Sequence, residues 1–362
     1  MGEDGYLIMN NNHYKHIQGI KGLAAMGVML GHVLSDFHIA YGQEYDAINT
    51  IWTYCFYFFQ NNVAMFAVVS GYVFAKKEWN LKTGEFIKKL VHRYFRFAVP
   101  ILASCLFIII IQREVGYVDH ATDYFTLKDA FKYSFIDLFI GKSYFNGVYW
   151  MLFQIFWGSI LVQIFCFFNN RNSNAILSIC GAFLLLVFTG RILGWVSVDV
   201  LLGGGLGILT KKLNISERFC TFGIIVVEVC AIISRNIPIC REYWLYGSVI
   251  YCLLLLLFID KSRSIKKIFG WNVFSKLGDL SFWIYCIHSP IILSFTSIVS
   301  NYYSSIEIRG LRLFLINAFV TTAITVFLAT IFKYTEEKIK NFSLFLKNRG
   351  YVLAKGTSAS DK

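Results

Sequence analysis

The sequence has few charged residues. Of its 362 residues only 15% are charged, whereas 56% are hydrophobic. A soluble domain carries about 25% charged residues, so the composition excludes a soluble protein and indicates a chain that lies within a lipid bilayer. A membrane-spanning helix needs about 20 predominantly apolar residues, and this length accommodates about ten such helices with short connections. No length remains for a sizeable soluble domain.

Three further absences exclude classes of function. No contiguous soluble module rich in basic and aromatic residues is present, so the net charge of +12 does not indicate nucleic-acid binding. The nine cysteines lack CxxC spacing and lie mostly in apolar stretches, which argues against a metal site or a disulfide framework. The first apolar run, residues 17–34, has no clear small-residue cleavage site, so no cleavable signal is expected. We therefore predict no metal, no permanently bound cofactor and no nucleic-acid partner.

The apolar runs predict an all-α, polytopic integral membrane protein with about ten transmembrane helices. These spans lie at residues 17–37, 51–75, 95–112, 147–168, 174–190, 192–210, 219–234, 244–260, 277–298 and 311–332. With the N-terminus inside, 25 of the 34 Lys and Arg residues lie on the side of the two termini and nine lie on the other side. Because basic residues are enriched in cytoplasmic loops, both termini are predicted in the cytoplasm and the protein in the cytoplasmic (inner) cell membrane.

The remaining segments are short. Residues 113–146 are polar and contain an amphipathic stretch, Leu127 to Ile140, which is expected either to lie on the membrane surface or to dip into it. We assign residues 1–350 to one transmembrane domain and residues 351–362 to a short polar C-terminal tail. The cluster Gly203–Gly207 lacks the strand, Lys and Ser/Thr of a phosphate loop, so close helix packing is the better interpretation.

The first predicted span carries Lys21, His32 and Asp36 along one face. Lys21 and His32 are eleven residues apart, which at about 100° per residue places them on one face, about 16 Å apart along the axis. Asp36 follows one turn later. Ionisable side chains in hydrocarbon are costly, so we interpret His32 as a general base oriented by Asp36. The alternative is that Lys21 is an ordinary flanking residue and that His32 makes a hydrogen bond between helices.

Three other motifs each allow two interpretations. Ser70 and Tyr72 flank Gly71 and could serve a polar site or helix packing. Arg93 and Arg96 lie at i, i+3, so their guanidinium groups could bind phosphate or anchor lipid headgroups. Trp150 begins the fourth span and could belong to a site or to the aromatic belt at the membrane surface.

His288 lies eleven residues into the run from Leu277 to Pro290, at a depth similar to that of His32. Tyr285 shares its helix face. Pro290 cannot donate to the carbonyl of Cys286, so the helix is weakened there and a backbone acceptor becomes available beside His288. A broken helix in the middle of a membrane usually lines a site, which favours a functional role for this histidine.

Taken in order, these motifs resemble membrane-bound acyltransferase family 3, which includes bacterial O-acetyltransferases of surface polysaccharides. The resemblance rests on a basic residue followed by ten residues and a His, and on a Ser-Gly-aromatic element. It also rests on an Arg-x-x-Arg pair, a Trp-x-Leu element, and a Leu-Gly-x-x-Ser-aromatic-x-x-Tyr-x-x-His-x-Pro run. Here these are Lys21 with His32, Ser70 to Tyr72, Arg93 with Arg96, Trp150 to Leu152, and Leu277 to Pro290.

Two positions depart from the family pattern. The family usually has Arg where this chain has Lys21, so the charge is kept but the two-pronged hydrogen bonding of a guanidinium group is lost. Many members also have a carboxylate shortly after the Trp-x-Leu element, where this chain reads Phe153-Gln154-Ile155. A role for such a carboxylate cannot be transferred to this chain.

The resemblance implies an acyl-CoA-dependent acyltransferase that moves an acyl group, typically acetyl, to a hydroxyl of a surface-polysaccharide or lipid-linked sugar precursor. Lys21, Arg93 and Arg96 would then bind acetyl-CoA or another acyl-CoA as donor substrate. His32 with Asp36 would carry the catalysis. Ser70, Tyr72, Trp150, Tyr285 and His288 would support it through contacts to the acceptor or to the carbonyl, with Tyr285 and His288 hydrogen-bonding the carbonyl oxygen or the acceptor. Expected partners are the lipid bilayer, the donor and the sugar acceptor, with a second copy of the chain or polysaccharide-assembly proteins as further candidates.

A transporter or flippase for a polysaccharide precursor or a small metabolite is the competing hypothesis. It would use the same buried polar residues as a binding site. It predicts movement of substrate without consumption of acyl-CoA.

Overall fold

The structure, a computed structural model, describes residues 14–37, 41–55, 61–77, 79, 81–115, 124–170, 175–305 and 310–357. All regular structure in these ranges is helical. The fourteen α-helices described are α1 (Lys15–Asp36), α2 (Tyr45–Cys55), α3 (Asn62–Lys76), α4 (Thr83–Val115), α5 (Leu127–Phe135), α6 (Trp150–Asn169), α7 (Ala175–Ile192), α8 (Trp195–Leu209), α9 (Glu217–Ser234), α10 (Pro238–Glu242), α11 (Trp244–Lys261), α12 (Arg263–Phe269), α13 (Asn272–Ser305) and α14 (Gly310–Thr357).

The helices have the length and composition of a membrane protein. Five are long and apolar enough to cross a bilayer: Lys15–Asp36, Thr83–Glu114, Gly147–Asn169, Trp244–Lys261 and Gly310–Asn341. Two shorter apolar helices are Asn62–Lys76 and Trp195–Leu209. Large apolar side chains such as Phe222 and Phe319 are exposed on the outside of the bundle, as is typical of a lipid-facing surface. The all-α membrane fold is therefore confirmed, whereas the number of spans and the side on which the termini lie stay predictions.

The directions of neighbouring helices follow from their contacts. Helices α1 and α13 run parallel, because Gly22 lies against Gly278 and, ten residues later in each helix, His32 lies against His288. Helix α14 runs antiparallel to α13 and stacks Phe332 on Trp283, with ring centroids 4.9 Å apart. The predicted domain boundary at residue 350 lies inside α14, so no helix end marks it.

Two predicted spans have different limits in the structure. The span at residues 51–75 is not one continuous helix, because α2 ends at Cys55 and α3 begins at Asn62 after the non-helical Asn61. Both asparagines are buried, and polar side chains of this kind compete with the backbone and favour a helix start. Helix α4 is longer than the predicted span at 95–112 and includes the Arg-x-x-Arg pair.

Glycine allows α1 and α13 to approach backbone to backbone. A Cβ on Gly278 would lie 2.0 Å from the carbonyl oxygen of Gln18, and one on Gly22 would lie 2.5 Å from the Gly278 nitrogen. Small residues at helix crossings permit this approach in membrane proteins. The crossing therefore fixes the distance between the two helices that carry the histidines.

A second close crossing joins α3 to α8. A Cβ on Gly71 would lie 1.7 Å from the Val200 carbonyl oxygen, and one on Gly203 would lie 2.0 Å from the Val68 carbonyl oxygen. The packing interpretation of the glycine cluster in α8 is thus confirmed at Gly203, Gly204 and Gly207, whereas Gly205 faces open space.

The amphipathic stretch after α4 packs along that helix, and its depth in the bilayer stays a prediction. Near its start, the Phe125 amide donates to Gln112, and at its end the Tyr94 hydroxyl donates to the Phe135 carbonyl. The separation of eighteen positions from Tyr94 to Gln112 corresponds to about 27 Å of helix axis. The segment then turns at Gly141, whose φ is 88°, and leads to the start of α6. It thereby supplies residues 146–149 to the interior.

Asp137 holds the turn of this segment together. Its buried carboxylate accepts hydrogen bonds from Tyr144 at 2.7 Å and from Lys142 at 3.0 Å, and Lys132 lies 3.6 Å away. Burial opposes ionisation, but these hydrogen bonds and the lysine charges hold the pKa of Asp137 below its ordinary value.

Candidate active site

The structure brings His32 and His288 together. The imidazole rings of His32 and His288 have centroids 5.3 Å apart and an interplanar angle of 38°. The Tyr285 ring lies 5.6 Å from that of His288 and 6.3 Å from that of Phe66 in α3. His288 is fully buried, whereas His32 is partly accessible. The pair therefore offers one imidazole to an incoming molecule and keeps the other behind it.

The hydrogen bonds of His288 define its tautomer. Its Nδ1 lies 2.8 Å from the Tyr285 carbonyl oxygen and 3.1 Å from the Ile284 carbonyl oxygen. Carbonyls only accept, so Nδ1 carries the proton, and the Nε2 of the neutral ring has a free lone pair. Within the described part of the chain this buried Nε2 has no hydrogen-bond partner. A buried acceptor without a donor is costly and marks a place where a proton or a ligand group can be received.

The free backbone acceptor predicted from Pro290 is confirmed, and its partners come from distant segments. The Cys286 carbonyl oxygen lies 3.0 Å from Ser104 Oγ, 3.2 Å from the Tyr149 hydroxyl and 3.4 Å from Asn146 Nδ2. The Ser104 and Tyr149 oxygens are 2.6 Å apart, so one hydroxyl donates to the carbonyl and the other to its neighbour. All three side chains are buried. They fix the helix segment that carries His288.

Sequence reasoning did not identify Ser104, Asn146 or Tyr149. Their contact with Cys286 spans 182, 140 and 137 residues of sequence. The only available signal was the proline itself, because a freed carbonyl in an apolar interior needs donors from elsewhere.

Tyr285 has a different partner from the one expected. Its hydroxyl donates to the carbonyl of Val148, in the connection between the segment packed along α4 and the start of α6. The proton that was expected to reach a substrate carbonyl is therefore used within the protein. Tyr285 thus ties α13 to the start of α6.

Asp36 acts on His32 through its charge. The carboxylate lies one turn after the histidine, close enough to interact with the imidazole electrostatically. The Ser35 hydroxyl lies 3.3 Å from Asp36 Oδ1 and 3.2 Å from the His32 carbonyl oxygen. Asp36 is thus placed to act on His32 through space, with Ser35 beside both residues.

Lys21, Arg93 and Arg96 lie close to one another at the other end of the Lys21–His32 face. The ammonium group of Lys21 interacts electrostatically with both guanidinium groups, and Asp279 and Lys333 act on it as well. Arg93 is held in place by a 3.0 Å hydrogen bond from its Nε to Ser159 Oγ. Its guanidinium carbon also lies 4.4 Å from the ring centre of Phe74 and 4.6 Å from that of Phe97, as in cation–π pairs.

Lys77 extends this cationic cluster beyond the end of α3. Burial, together with repulsion from Arg96, Arg93, Lys89 and Lys21, lowers the pKa of Lys77 to about 8. Like charges that repel one another at short range gain free energy when an anion binds between them. We define Lys21, Lys77, Lys89, Arg93 and Arg96 as the cationic cluster. Its composition suits a phosphorylated ligand.

The other predicted supporting residues lie elsewhere. The Ser70 hydroxyl donates to the Phe66 carbonyl at 2.7 Å within its own helix. Tyr72 contacts Thr210 and the carboxylate of Asp260, which also pairs with His16, about 24 Å from His32 along α1. The exposed ring of Trp150 packs on Trp195, with centroids 5.9 Å apart. For Ser70 the structure agrees with helix packing, whereas an interfacial position of Trp150 stays a prediction.

A buried polar stripe on α14 was also missed. Asn317, Thr321 and Thr325 lie at i, i+4 and i+8, so they share one face, and all three are fully buried. The hydroxyls of Thr321 and Thr325 have no hydrogen-bond partner among the described residues. The antiparallel register set by Phe332 and Trp283 places Thr325 at about the height of Pro290 along α13. The i, i+4 spacing of polar residues in an apolar helix was the available signal.

The family comparison covers the residues of this site. A family model described as an acyltransferase domain matches residues 14–334, a range that includes both histidines and the whole cationic cluster. No curated protein and no solved structure matches the chain. Since the matched range covers most of the chain and its helical membrane fold, the chain belongs to acyltransferase family 3.

Proposed function

We propose that this protein transfers an acyl group, acetyl in the simplest case, from cytoplasmic acyl-CoA to a hydroxyl of a surface-polysaccharide or lipid-linked sugar precursor. The observation that carries the proposal is the pair of imidazoles, 5.3 Å apart inside the bundle, on helices that lead to a cationic cluster. The imidazole pair suits proton transfer, and the cationic cluster suits a phosphorylated donor. The proposal includes ten spans with both termini in the cytoplasm, which places the cationic cluster on the donor side.

His32 is the general base of the proposed reaction. It removes the proton from the acceptor hydroxyl as the oxygen attacks the thioester carbonyl. A tetrahedral intermediate forms, the C–S bond breaks, and the proton on His32 passes to the leaving thiolate, which gives an ester and free CoA. The charge of Asp36 stabilises the imidazolium between these two proton transfers.

His288 positions His32 in this scheme. Because its Nδ1 proton is held by backbone carbonyls, its Nε2 can accept a hydrogen bond from the neighbouring imidazole after a small ring rotation. That bond would leave the other nitrogen of His32 free to face the acceptor, as the orienting group of a catalytic triad does. The partners of Cys286 keep His288 in place.

The donor end is proposed to lie in the cationic cluster. Among the described residues Arg93 uses its Nε for Ser159, so its terminal nitrogens can be offered to phosphate oxygens. The distance of about 16 Å along α1 from Lys21, in the cationic cluster, to His32 is comparable with an extended pantetheine arm. Lys21, in the position where the family usually has Arg, contributes charge to the same end.

The test supplies radiolabelled acetyl-CoA to membranes that contain the protein and follows the label into polysaccharide or lipid-linked sugar. His32→Ala should lower the transfer rate by about 10²–10⁴-fold, the range for loss of a general base, while CoA still binds. Thr330→Val is the control, since it removes an exposed hydroxyl bonded within α14. Wild-type transfer by His32→Ala would refute the mechanism. Movement of a sugar precursor without use of acetyl-CoA would identify a carrier instead.

His288→Gln separates positioning from proton transfer. The glutamine keeps polar groups near the same place but removes the imidazole acceptor. We expect a fall in kcat with the KM for acetyl-CoA unchanged, and a pH–rate profile that still shows the titration of His32. A loss of donor affinity with unchanged kcat would contradict the positioning role.

A further inference from the structure

A cleft opens where three helices end beside the cationic cluster. It has a volume of about 380 Å³ and is lined by Ala75, Lys77, Trp79, Cys166, Asn169, Asn170, Ile208 and Lys211. These residues come from the ends of α3, α6 and α8 or directly follow them. The volume lies within the range of small-molecule sites, which is about 300–1,000 Å³. We call this feature the end cleft.

The lining of the end cleft favours an anion with a flat, partly polar group. Lys77 and Lys211 provide two positive charges, and none of the described residues that line the cleft is a carboxylate. Asn169 and Asn170 offer amide donors and acceptors, while Ala75, Cys166 and Ile208 form apolar wall. A phosphorylated nucleoside has this combination of charge, hydrogen-bonding edges and apolar faces.

One aromatic ring connects the end cleft to the donor arginine. Lys77 Nζ lies 4.9 Å from the centre of the Phe74 ring, and the guanidinium carbon of Arg93 lies 4.4 Å from the same centre. On the other side, Lys89 Nζ lies 5.1 Å from the centre of the Trp79 ring, which lines the cleft. Lys77 at the cleft and Arg93 at the donor end therefore share one aromatic ring.

The distance from this ring to the histidines suits the remaining part of the donor. Phe66, whose ring lies 6.3 Å from that of Tyr285, precedes Phe74 by eight residues, or about 12 Å of helix α3. If the nucleotide of such a donor lay in the end cleft and its phosphates lay at Lys77 and Arg93, the rest of the molecule would extend along about this length of α3 to reach the imidazole pair.

We propose that the end cleft binds the 3′-phosphorylated nucleotide end of CoA through Lys77 and Lys211. This inference rests on the proposed use of acyl-CoA. It adds two residues, Lys77 and Lys211, that neither the family motifs nor the spacing of the cationic residues identified. It also separates recognition of the nucleotide from the chemistry at His32 by the length of the pantetheine arm.

Binding of free CoA to the purified protein in phosphatidylcholine nanodiscs tests the inference without turnover. Lys77→Gln combined with Lys211→Gln should raise the Kd for CoA about tenfold or more, the change for loss of a charge-assisted hydrogen bond to phosphate. In the wild-type protein, 3′-dephospho-CoA should bind more weakly than CoA, and the double variant should lose this preference. Pantetheine should bind both proteins equally.

Lys212→Gln is the matched control, because it removes the same charge one residue away from the lining. It should bind CoA as the wild-type protein does. Equal CoA affinity in the double variant and the wild-type protein would overturn the inference. Binding of pantetheine to the wild-type protein as tightly as CoA would also overturn the inference.

Two further results separate competing explanations. Nanodiscs that contain phosphatidylglycerol test lipid headgroups as the source of the phosphate. If they weaken CoA binding to the level of the double variant, the cleft is a lipid site and the inference is overturned. CoA binding that depends on Lys77 and Lys211, in a protein that transfers no label, would support the cleft while refuting the proposed transfer.

Discussion

The close crossing of α1 and α13 makes a sharp prediction at Gly278. A Cβ there would lie 2.0 Å from the Gln18 carbonyl oxygen, whereas real Cβ contacts essentially never fall below 3.0 Å. Gly278→Ala must therefore move the two helices apart by about 1 Å, since a backbone carbonyl cannot rotate away as a side chain can. Close-packed interiors do not absorb such a shift without cost.

The expected effect on catalysis is large because the same two helices carry His32 and His288. A displacement of about 1 Å at a catalytic pair can lower the rate by about 10²-fold. The overpacking itself should lower the free energy of unfolding by about 1–3 kcal/mol. The assay measures kcat for label transfer at saturating acetyl-CoA, together with thermal unfolding in the same detergent.

Gly31 provides the matched control on α1. It is adjacent to His32 in sequence, yet a Cβ added there would meet nothing within 4 Å. Gly31→Ala should therefore keep the wild-type rate, although it lies much closer to the histidine than Gly278 does. A wild-type rate in Gly278→Ala, or an equal loss in both variants, would refute the argument that the crossing sets the distance between the imidazoles.

Two further predictions concern stability. Replacing Thr321 and Thr325 together by valine removes two buried hydroxyls that lack partners among the described residues, so the free energy of unfolding should stay unchanged or rise by about 1–3 kcal/mol. The control Thr330→Val should give no such gain. A lower free energy of unfolding in the double variant would show that the two hydroxyls are hydrogen-bonded within the protein. Because the pKa of Asp137 is lowered in the folded protein, its contribution to stability is complete above its unfolded pKa of about 3.9 and is lost as the pH falls through the lower folded value. Asp137→Asn should therefore be less stable at pH 7 and lose less stability on acidification, whereas parallel acid-unfolding curves would contradict the assignment.

The helical membrane fold and the histidine pair were predictable because they depend on periodicity. The separation of eleven positions from Lys21 to His32 fixes a shared helix face, and the matching depth of His288 follows from the same count. Pro290 predicted a free carbonyl at Cys286 from covalent structure alone. These are local properties of one helix.

The partners of these residues were not predictable, because they depend on which helices meet. The donors to the Cys286 carbonyl come from α4 and from the connection to α6. The Tyr285 hydroxyl donates to the Val148 carbonyl instead of facing the site. Ser70 bonds to a carbonyl of its own helix, and the adjacent Gly71 lies against the backbone of α8. Tertiary contact decides each of these outcomes.

Pro290 has a consequence for the order of assembly. In most helices a proline costs one hydrogen bond and leaves a weak point. Here the freed carbonyl is bonded by residues from α4 and from the connection to α6, so the local defect becomes a junction of three chain segments. The geometry around His288 is therefore complete only after these segments have docked, and a helix α13 inserted alone into the bilayer carries an unfinished site.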